Sequence, residues 1–511
     1  MERRDFLRTI GFGVATLLSG CTTTTQRASS ATVRRTATPV PRRYVKRRVT
    51  REDLPNILWL ISEDTSPDMA CYGNRDVRTP NIDRLASQGA LFRNAFVTGP
   101  VCSASRSAFT TGMYQTTIDA HNHRSHRNDG FKLTPPVTVI TEIFRQAGYF
   151  TSNSTGLSYK RPGKTDWNFT PPPRSFDGTD WSQRKPGQRF FAQMNFSLTH
   201  RPFERDKSRP IDPAKVKLPP CYPDHPVARR DWADYLESIQ VLDREIGATL
   251  QWLEKEGMAD NTIVMYFGDN GQPHVRGKQW LYEGGIHIPM IIRWPGHIKP
   301  GTLVDDLVST IDFAPTMLSL IGIKPPEHLQ GHVVFGDKKQ RRKYVLAARD
   351  RCDGTVDRIR CVRSRRYKYI RNYYPDQPYT QFNAYKKLQY PVLTLMQVLN
   401  AQGKLTPEQA QSMAPTRPKE ELYDLQNDPY EMNNLAEQVK FRRVLKEHRK
   451  VLDDWIRSTG DRGETPEDPK VVAYWQDDMM KSYKQQMEKR GLSPEISDDD
   501  YLKWWEQKLL G

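Results

Sequence analysis

Ile57-Leu58-Trp59-Leu60-Ile61 runs into Ser62-Glu63-Asp64, and much later in the chain a second apolar run, 262–267, ends in Gly268-Asp269-Asn270-Gly271. A short, unbroken apolar run fits a central strand of a sheet buried on both faces. Both runs end in carboxylate or amide side chains, and open α/β sheets bind ligands just past the carboxyl ends of their strands. A further strand is expected at Phe190–Phe196 and a helix opening at 79–86. Amphipathic segments at 138–147 and 232–254 precede the strands at 190 and 262. Alternating strands and helices make the fold class α/β, with a central, mostly parallel sheet. Glu63, Asp64, Asp269 and Asn270 can then meet around one hard cation, because all-oxygen ligation selects calcium or magnesium over zinc. Each acidic pair alone also reads as a turn or a helix cap.

Between the two pairs lies Val101-Cys102-Ser103-Ala104-Ser105-Arg106-Ser107-Ala108-Phe109-Thr110-Thr111-Gly112. This stretch resembles the signature of the type I, formylglycine-dependent sulfatases, Cys-x-Pro/Ala-x-Arg followed by Thr-Gly. The matching positions are Cys102, Ala104, Arg106, Thr111 and Gly112, and the resemblance covers residues 54–440. It implies an alkaline phosphatase-like large domain with a smaller C-terminal subdomain built on an antiparallel sheet. It also implies oxidation of Cys102 to formylglycine (3-oxoalanine) by a maturation enzyme. Calcium, with magnesium as the alternative, would be held by Glu63, Asp64, Asp269, Asn270 and residue 102.

That chemistry suits a sulfate ester. A hydrated aldehyde carries two hydroxyls on one carbon. One attacks sulfur; loss of the other's proton re-forms the aldehyde and releases sulfate. A metal beside the hydrate lowers its hydroxyl pKa. The resemblance assigns Arg106 to holding the hydrate, with the helix N-terminus adding donors. Tyr282-Glu283-Gly284-Gly285-Ile286-His287-Ile288-Pro289 resembles the segment after the second metal pair, and Lys278 falls at the family's active-site lysine. Asn195-Phe196-Ser197-Leu198-Thr199-His200 resembles the strand that leads to the leaving-group histidine, which makes His200 the general acid.

Three departures stand out. Glu63 replaces the aspartate of many relatives. The family's Lys-x-His is absent after 148–151; Lys164 with Asp166 stands in its place, with Lys160 as the rival lysine. Ala120-His121-Asn122-His123-Arg124-Ser125-His126-Arg127 is unusually basic, so His121, His123 and Arg124 are expected at the rim of the substrate pocket. A zinc cluster there lacks acidic or thiol partners. Arg349, Arg351 and Asp353 lie near a loop that relatives turn toward the substrate.

Arg3-Arg4-Asp5-Phe6-Leu7-Arg8, a short apolar stretch and Leu18-Ser19-Gly20-Cys21 read as a twin-arginine leader ending in a lipobox. This predicts export, acylation of Cys21 and anchoring to a membrane facing the periplasm or cell surface. Residues 1–51 hold twelve Lys/Arg against two Asp/Glu, an excess of +10 that leaves +7 of the formal +17 for the rest. The segment 22–52 lacks the apolar side chains to fold and reads as a basic linker. No run of eighteen apolar residues occurs, which excludes an ordinary spanning helix. The mildly basic body favours an anionic partner such as a sulfated carbohydrate; no nucleic-acid-binding fold accompanies the charge. The six cysteines contain no C-x-x-C pair, and Cys352 and Cys361 are either free or bridged.

The expected organisation is a signal at 1–21, a linker at 22–52, a catalytic domain at 53–340 and a C-terminal subdomain at 341–511. The last carries an insertion near 376–418 and terminal helices from 465 onward. The expected function is hydrolysis of sulfate esters on a polysaccharide or oligosaccharide. The alternatives are a phosphonate or phosphodiester hydrolase of the same superfamily and a non-catalytic binder of anionic glycans.

Overall fold

The computed structural model describes residues 54–126 and 129–511, without the side chains of Tyr159 and Lys160; the leader and linker read above lie outside the described residues. Nine strands form the large sheet: β1 (Asn56–Ser62), β2 (Ala90–Phe96), β3 (Phe150–Thr155), β4 (Ser158–Pro162), β5 (Phe190–Phe196), β6 (Thr262–Gly268), β7 (His287–Arg293), β8 (Thr302–Val304) and β9 (Val308–Ser309). Their spatial order is β4-β3-β5-β1-β6-β7-β2-β8, with β9 also paired to β2. The four strands β3, β5, β1 and β6 run parallel, while β4 and β7 run against their neighbours. The sheet is thus mostly parallel, as the alternation of elements implies.

Register places the site. β1 lies between β5 and β6, with Ser62 beside both Phe196 and Gly268. In-register parallel strands end together. The residues that follow them, Glu63-Asp64, Ser197 to His200, and Asp269-Asn270, therefore leave the sheet at one edge. Every residue of β1, β5 and β6 is buried, which is what their unbroken apolar runs require.

Five helices flank this sheet: α1 (Pro80–Gln88), α2 (Cys102–Thr111), α3 (Ile140–Gln146), α4 (Pro226–Lys255) and α5 (Phe313–Leu320). All ten residues of α2 are buried, and its run of Ser, Ala and Thr keeps the helix thin enough to lie within the core. It ends where Gly112 takes a left-handed φ of 67°, a conformation that a Cβ disfavours. Trp59 of β1 ties the layers together, meeting Phe109 of α2, Phe191 of β5, Phe267 of β6 and Phe313 of α5 edge-on at 5.1–6.3 Å.

The second sheet is antiparallel: β10 (Val345–Arg349), β11 (Ile359–Arg363), β12 (Tyr367–Asn372) and β13 (Glu420–Asp424), in that order. The stretch near 376–418 carries α6 (Ala384–Gln389) and α7 (Pro391–Ala401). After β13 come α8 (Arg442–Thr459), α9 (Pro469–Lys489) and α10 (Asp498–Leu510). Leu445, Leu452 and Trp455 form the apolar stripe that docks α8 on the second sheet through Val362, Tyr369 and Leu422. Both sheets belong to one compact unit, so the boundary read near residue 340 separates two sheets within it. Cys352 and Cys361 are free, buried thiols.

Trp59→Ala is expected to lower unfolding stability in denaturant melts by about 3–5 kcal/mol through the cavity it leaves. Trp59→Phe should cost clearly less, because the buried indole Nε1 has no hydrogen-bond partner among the described residues to lose. Equal losses in the two variants would contradict this packing role.

Candidate active site

Cys102 opens α2 at the edge where β1, β5 and β6 end, and its Sγ lies 3.7 Å from Asp64 Oδ1. Donor atoms of Glu63, Cys102 and Asp269 all lie within 4.8 Å of one another. The Asp64 amide donates to Asp269 Oδ1 at 3.0 Å, and Asn270 Nδ2 donates to Asp64 Oδ1 at 2.9 Å, which locks the two strand ends together. The other amide atom, Asn270 Oδ1, is buried without a hydrogen-bond partner among the described residues. A buried acceptor left alone is costly, and a cation held by the neighbouring carboxylates would satisfy it. Oxygen donors of this kind fit a hard divalent ion. Glu63 thus stands with Cys102 and Asp269 despite its extra methylene.

Three carboxylates this close need compensation. Lys278 Nζ reaches both Asp64 oxygens at 2.8 Å. Lys164 Nζ meets Glu63 Oε2 at 2.7 Å and lies 3.8 Å from Asp166. Arg106 Nε donates to Asp269 Oδ2 at 2.8 Å, while its Nη1 binds Asn195 Oδ1 and the Lys164 carbonyl. Burial alone raises a carboxylate pKa; at Asp64 the charges of Lys278 and His200 outweigh it and hold the group at about 2. At Glu63 burial is likewise outweighed, by Lys164 and Arg106, and the pKa falls. Burial pushes the Cys102 thiol up to about 12 against the pull of Lys164 and Lys278. A protonated thiol is a poor nucleophile.

His200 Nε2 lies 3.8 Å from Asp64 Oδ2, and its Nδ1 is 2.8 Å from the Arg201 carbonyl, a contact in which Nδ1 donates. Burial, reinforced by Lys278, lowers its pKa. Arg201 anchors this loop: it forms a buried bidentate pair with Asp231 of α4 at 2.6 Å and donates to the carbonyls of Pro273 and Gln389. One guanidinium therefore ties the His200 loop to the segment after Asn270 and to α6. Neither Arg201 nor Asp231 nor Asn195 was marked as functional from the sequence; the arginine beside His200 and the polar residue inside an apolar strand were the available signals.

The constellation opens into a cavity of about 270 Å³ lined by Cys102, His123, Arg124, Lys164, His200 and Lys278, among others. A larger groove of about 1080 Å³ elsewhere on the protein includes none of these six, so size does not mark the site. Asp166, Gln279 and Asp353 also line the small cavity, and with Asp64 they hold φ values of 52–73°. Such left-handed backbone at non-glycine residues is strained and gathers at functional sites. Lys160, the rival to Lys164, has a side chain outside those described.

Three of the residues expected at the substrate do not line this cavity. Arg349 is buried and pairs with Asp357. Arg351 pairs with Glu467 and donates to the carbonyls of His123 and Asp353, so it braces the rim from behind. His121 is buried near Asp119 and does not line the cavity. His123 does line it, with Nδ1 3.0 Å from Asp353.

Residues 55–323 match the sulfatase family model, and residues 271–391 match that of the C-terminal region of N-sulphoglucosamine sulphohydrolase. An ulvan-active sulfatase of Formosa agariphila is 35% identical over 472 residues, covering 82% of this chain and 78% of that protein. Human N-sulphoglucosamine sulphohydrolase is 25% identical, covering 80% of this chain and 90% of its own. A solved structure in complex with its substrate D-glucosamine-2-N,6-O-disulfate has a TM-score of 0.59 at 18% identity, covering 81% of this chain and 100% of that one. The phosphonate monoester hydrolase of Agrobacterium radiobacter has a TM-score of 0.58 at 17% identity, covering 79% and 96%. These two likenesses establish a shared fold and no more. The sequence match goes further, since it runs through both acidic strand ends and the helix between them, and this chain belongs to the sulfatase family.

Proposed function

We propose that this sulfatase acts on a sulfated saccharide, with residue 102 matured from cysteine to formylglycine and a divalent cation, calcium, held by Glu63, Asp64, Asp269 and Asn270. The observation that carries the reading is the placement of Cys102 against the two acidic strand ends, beneath a cavity faced by Lys164 and Lys278. Support for the saccharide comes from the relatives, one named as ulvan-active and another as an N-sulphoglucosamine sulphohydrolase.

When present, the matured residue and the cation supply a nucleophilic hydroxyl and a Lewis acid. The chain's own residues do the remaining work. Lys278 and Lys164, already aimed at Asp64 and Glu63, neutralise the sulfate oxygens and the charge that grows on the ester oxygen. Arg106 keeps Asp269 in place and orients it through Nε. His200, held through Nδ1 on the Arg201 carbonyl, presents Nε2 to the cavity and moves a proton at the leaving oxygen.

In this reading the enzyme works outside the cytoplasm, exported by the twin-arginine route and tethered through Cys21 as a lipoprotein; the Arg3-Arg4 leader and the Leu18-Ser19-Gly20-Cys21 stretch support it. A formylglycine-generating enzyme is then a required partner before export. Cys21→Ser should move the protein from the membrane fraction to the soluble fraction of its host; retention in the membrane would contradict the tether.

Free sulfate released from 4-nitrophenyl sulfate and from ulvan oligosaccharides tests the reaction in protein produced with the maturation enzyme. Cys102→Ala should abolish release. Lys278→Ala should lower kcat about 10²–10³-fold. A chelator should remove activity and added calcium restore it. Wild-type rates from Cys102→Ala, or faster hydrolysis of bis(4-nitrophenyl) phosphate than of the aryl sulfate, would overturn the proposal.

A further inference from the structure

The cavity above Cys102 has a wall that no part of the mechanism uses. Trp475, Asp478, Met479, Ser482 and Gln486, all from α9, line it. Their spacing of three and four residues puts them on one face of the helix. The next stripe of the same helix, Met479, Tyr483 and Met487, is buried against Ala384 and Leu388 of α6 and Tyr501 and Trp505 of α10. One face of α9 is therefore fixed to the body while the adjoining face looks into the active-site cavity.

This placement is built. Gly354 follows Asp353 of the cavity rim, and a Cβ there would lie 2.8 Å from Gln476 Cα and 2.9 Å from the Trp475 carbonyl, so only a glycine lets the helix come this close. Arg351 stands 5.2 Å from the Trp475 ring and braces it. Yet Trp475, Asp478, Ser482 and Gln486 make no side-chain hydrogen bond or ion pair with any described residue, so their polar atoms are free for a ligand. Gln279, next to Lys278 and lining the same cavity, is buried with Oε1 lacking any hydrogen-bond partner among the described residues. Both family matches end before α9, at residues 323 and 391.

We infer that α9 is the sugar-recognition wall of this enzyme: Trp475 gives the ring a platform, and Asp478, Ser482, Gln486 and Gln279 read the hydroxyls of the sugar that carries the sulfate. The inference rests on the proposed sulfatase reaction and adds the recognition to it. The cavity has two poles. Lys164, Lys278 and Arg124 bring cations to the end near Cys102, where Asp166 and Asp353 also line the cavity, whereas the α9 wall holds one carboxylate, neutral polar groups and no cation. A sulfated ring enters with its sulfate toward Cys102 and an uncharged, hydroxylated edge toward α9. A second sulfate or a carboxylate on that edge would meet Asp478. At about 270 Å³ the cavity takes a single ring, since drug-sized ligands occupy ~300–1,000 Å³.

Two substrates separate recognition from catalysis: 4-nitrophenyl sulfate, which has no sugar hydroxyls, and the compound desulfated fastest by the wild type among ulvan oligosaccharides and sulfated monosaccharides. The double variant Asp478→Ala/Gln486→Ala removes two exposed side chains and should keep the wild-type melting temperature. It should raise KM for the saccharide about tenfold while leaving kcat/KM for the aryl sulfate within about twofold. Unchanged saccharide kinetics would overturn the inference, as would equal losses on both substrates. A wild type that cleaves the aryl sulfate but no saccharide of the panel would also overturn it. A wild type inactive on both would remove the proposed function and this inference with it.

Discussion

The pairing of β1 between β5 and β6, in register to their last residues, is the constraint on which the site depends. It brings Glu63, Asp64 and Asp269 together out of water, where like charges repel strongly. The chain answers with Lys164, Lys278 and Arg106, one cation for each carboxylate. Removing one partner of a buried pair costs ~3–5 kcal/mol, because the other charge is left uncompensated. The three carboxylates and three cations balance to neutrality. A divalent ion added to that balance turns the constellation positive, which suits it to an anionic ester.

The surroundings of this array are rigid. Trp59 clamps the sheet to α2 and α5, so the helix carrying Cys102 is fixed relative to the strand ends. The Arg201–Asp231 pair fixes the His200 loop against α4 and α6 in the same way. Small side chains along α2 allow a helix to run buried through the core, and its Ser107 hydroxyl accepts from the Asn168 amide to hold the Lys164 segment nearby. Catalytic groups set on such supports keep their geometry without rearranging during the reaction.

The strand ends were legible because β1, β5 and β6 are buried on both faces and so read as unbroken apolar runs followed by acidic or polar residues. The strand β2 was not, since Arg93 and Asn94 interrupt its apolar pattern where a bulge shifts its register with β7. Arg349 and Arg351 show a second limit. Sequence reveals a charge but not its partner, and Arg349 and Arg351 pair with Asp357 and Glu467 instead of lining the cavity. Helix α9 shows a third. Asp478, Ser482 and Gln486 look like ordinary solvent-facing helix residues, and only the fold shows which surface they face. The nucleophile motif was the reverse case, because its residue types carry the chemistry wherever the chain places them.

The central claim is that the thiol of residue 102 is replaced by an aldehyde before the enzyme works. Mass spectrometry of the peptide containing residue 102, taken from enzyme of measured sulfatase activity, addresses it directly. The account predicts that the fraction of peptide carrying the aldehyde or its hydrate rises in proportion to specific activity across preparations made with and without the maturation enzyme. Full activity in a preparation whose peptide retains the cysteine sulfur would contradict it.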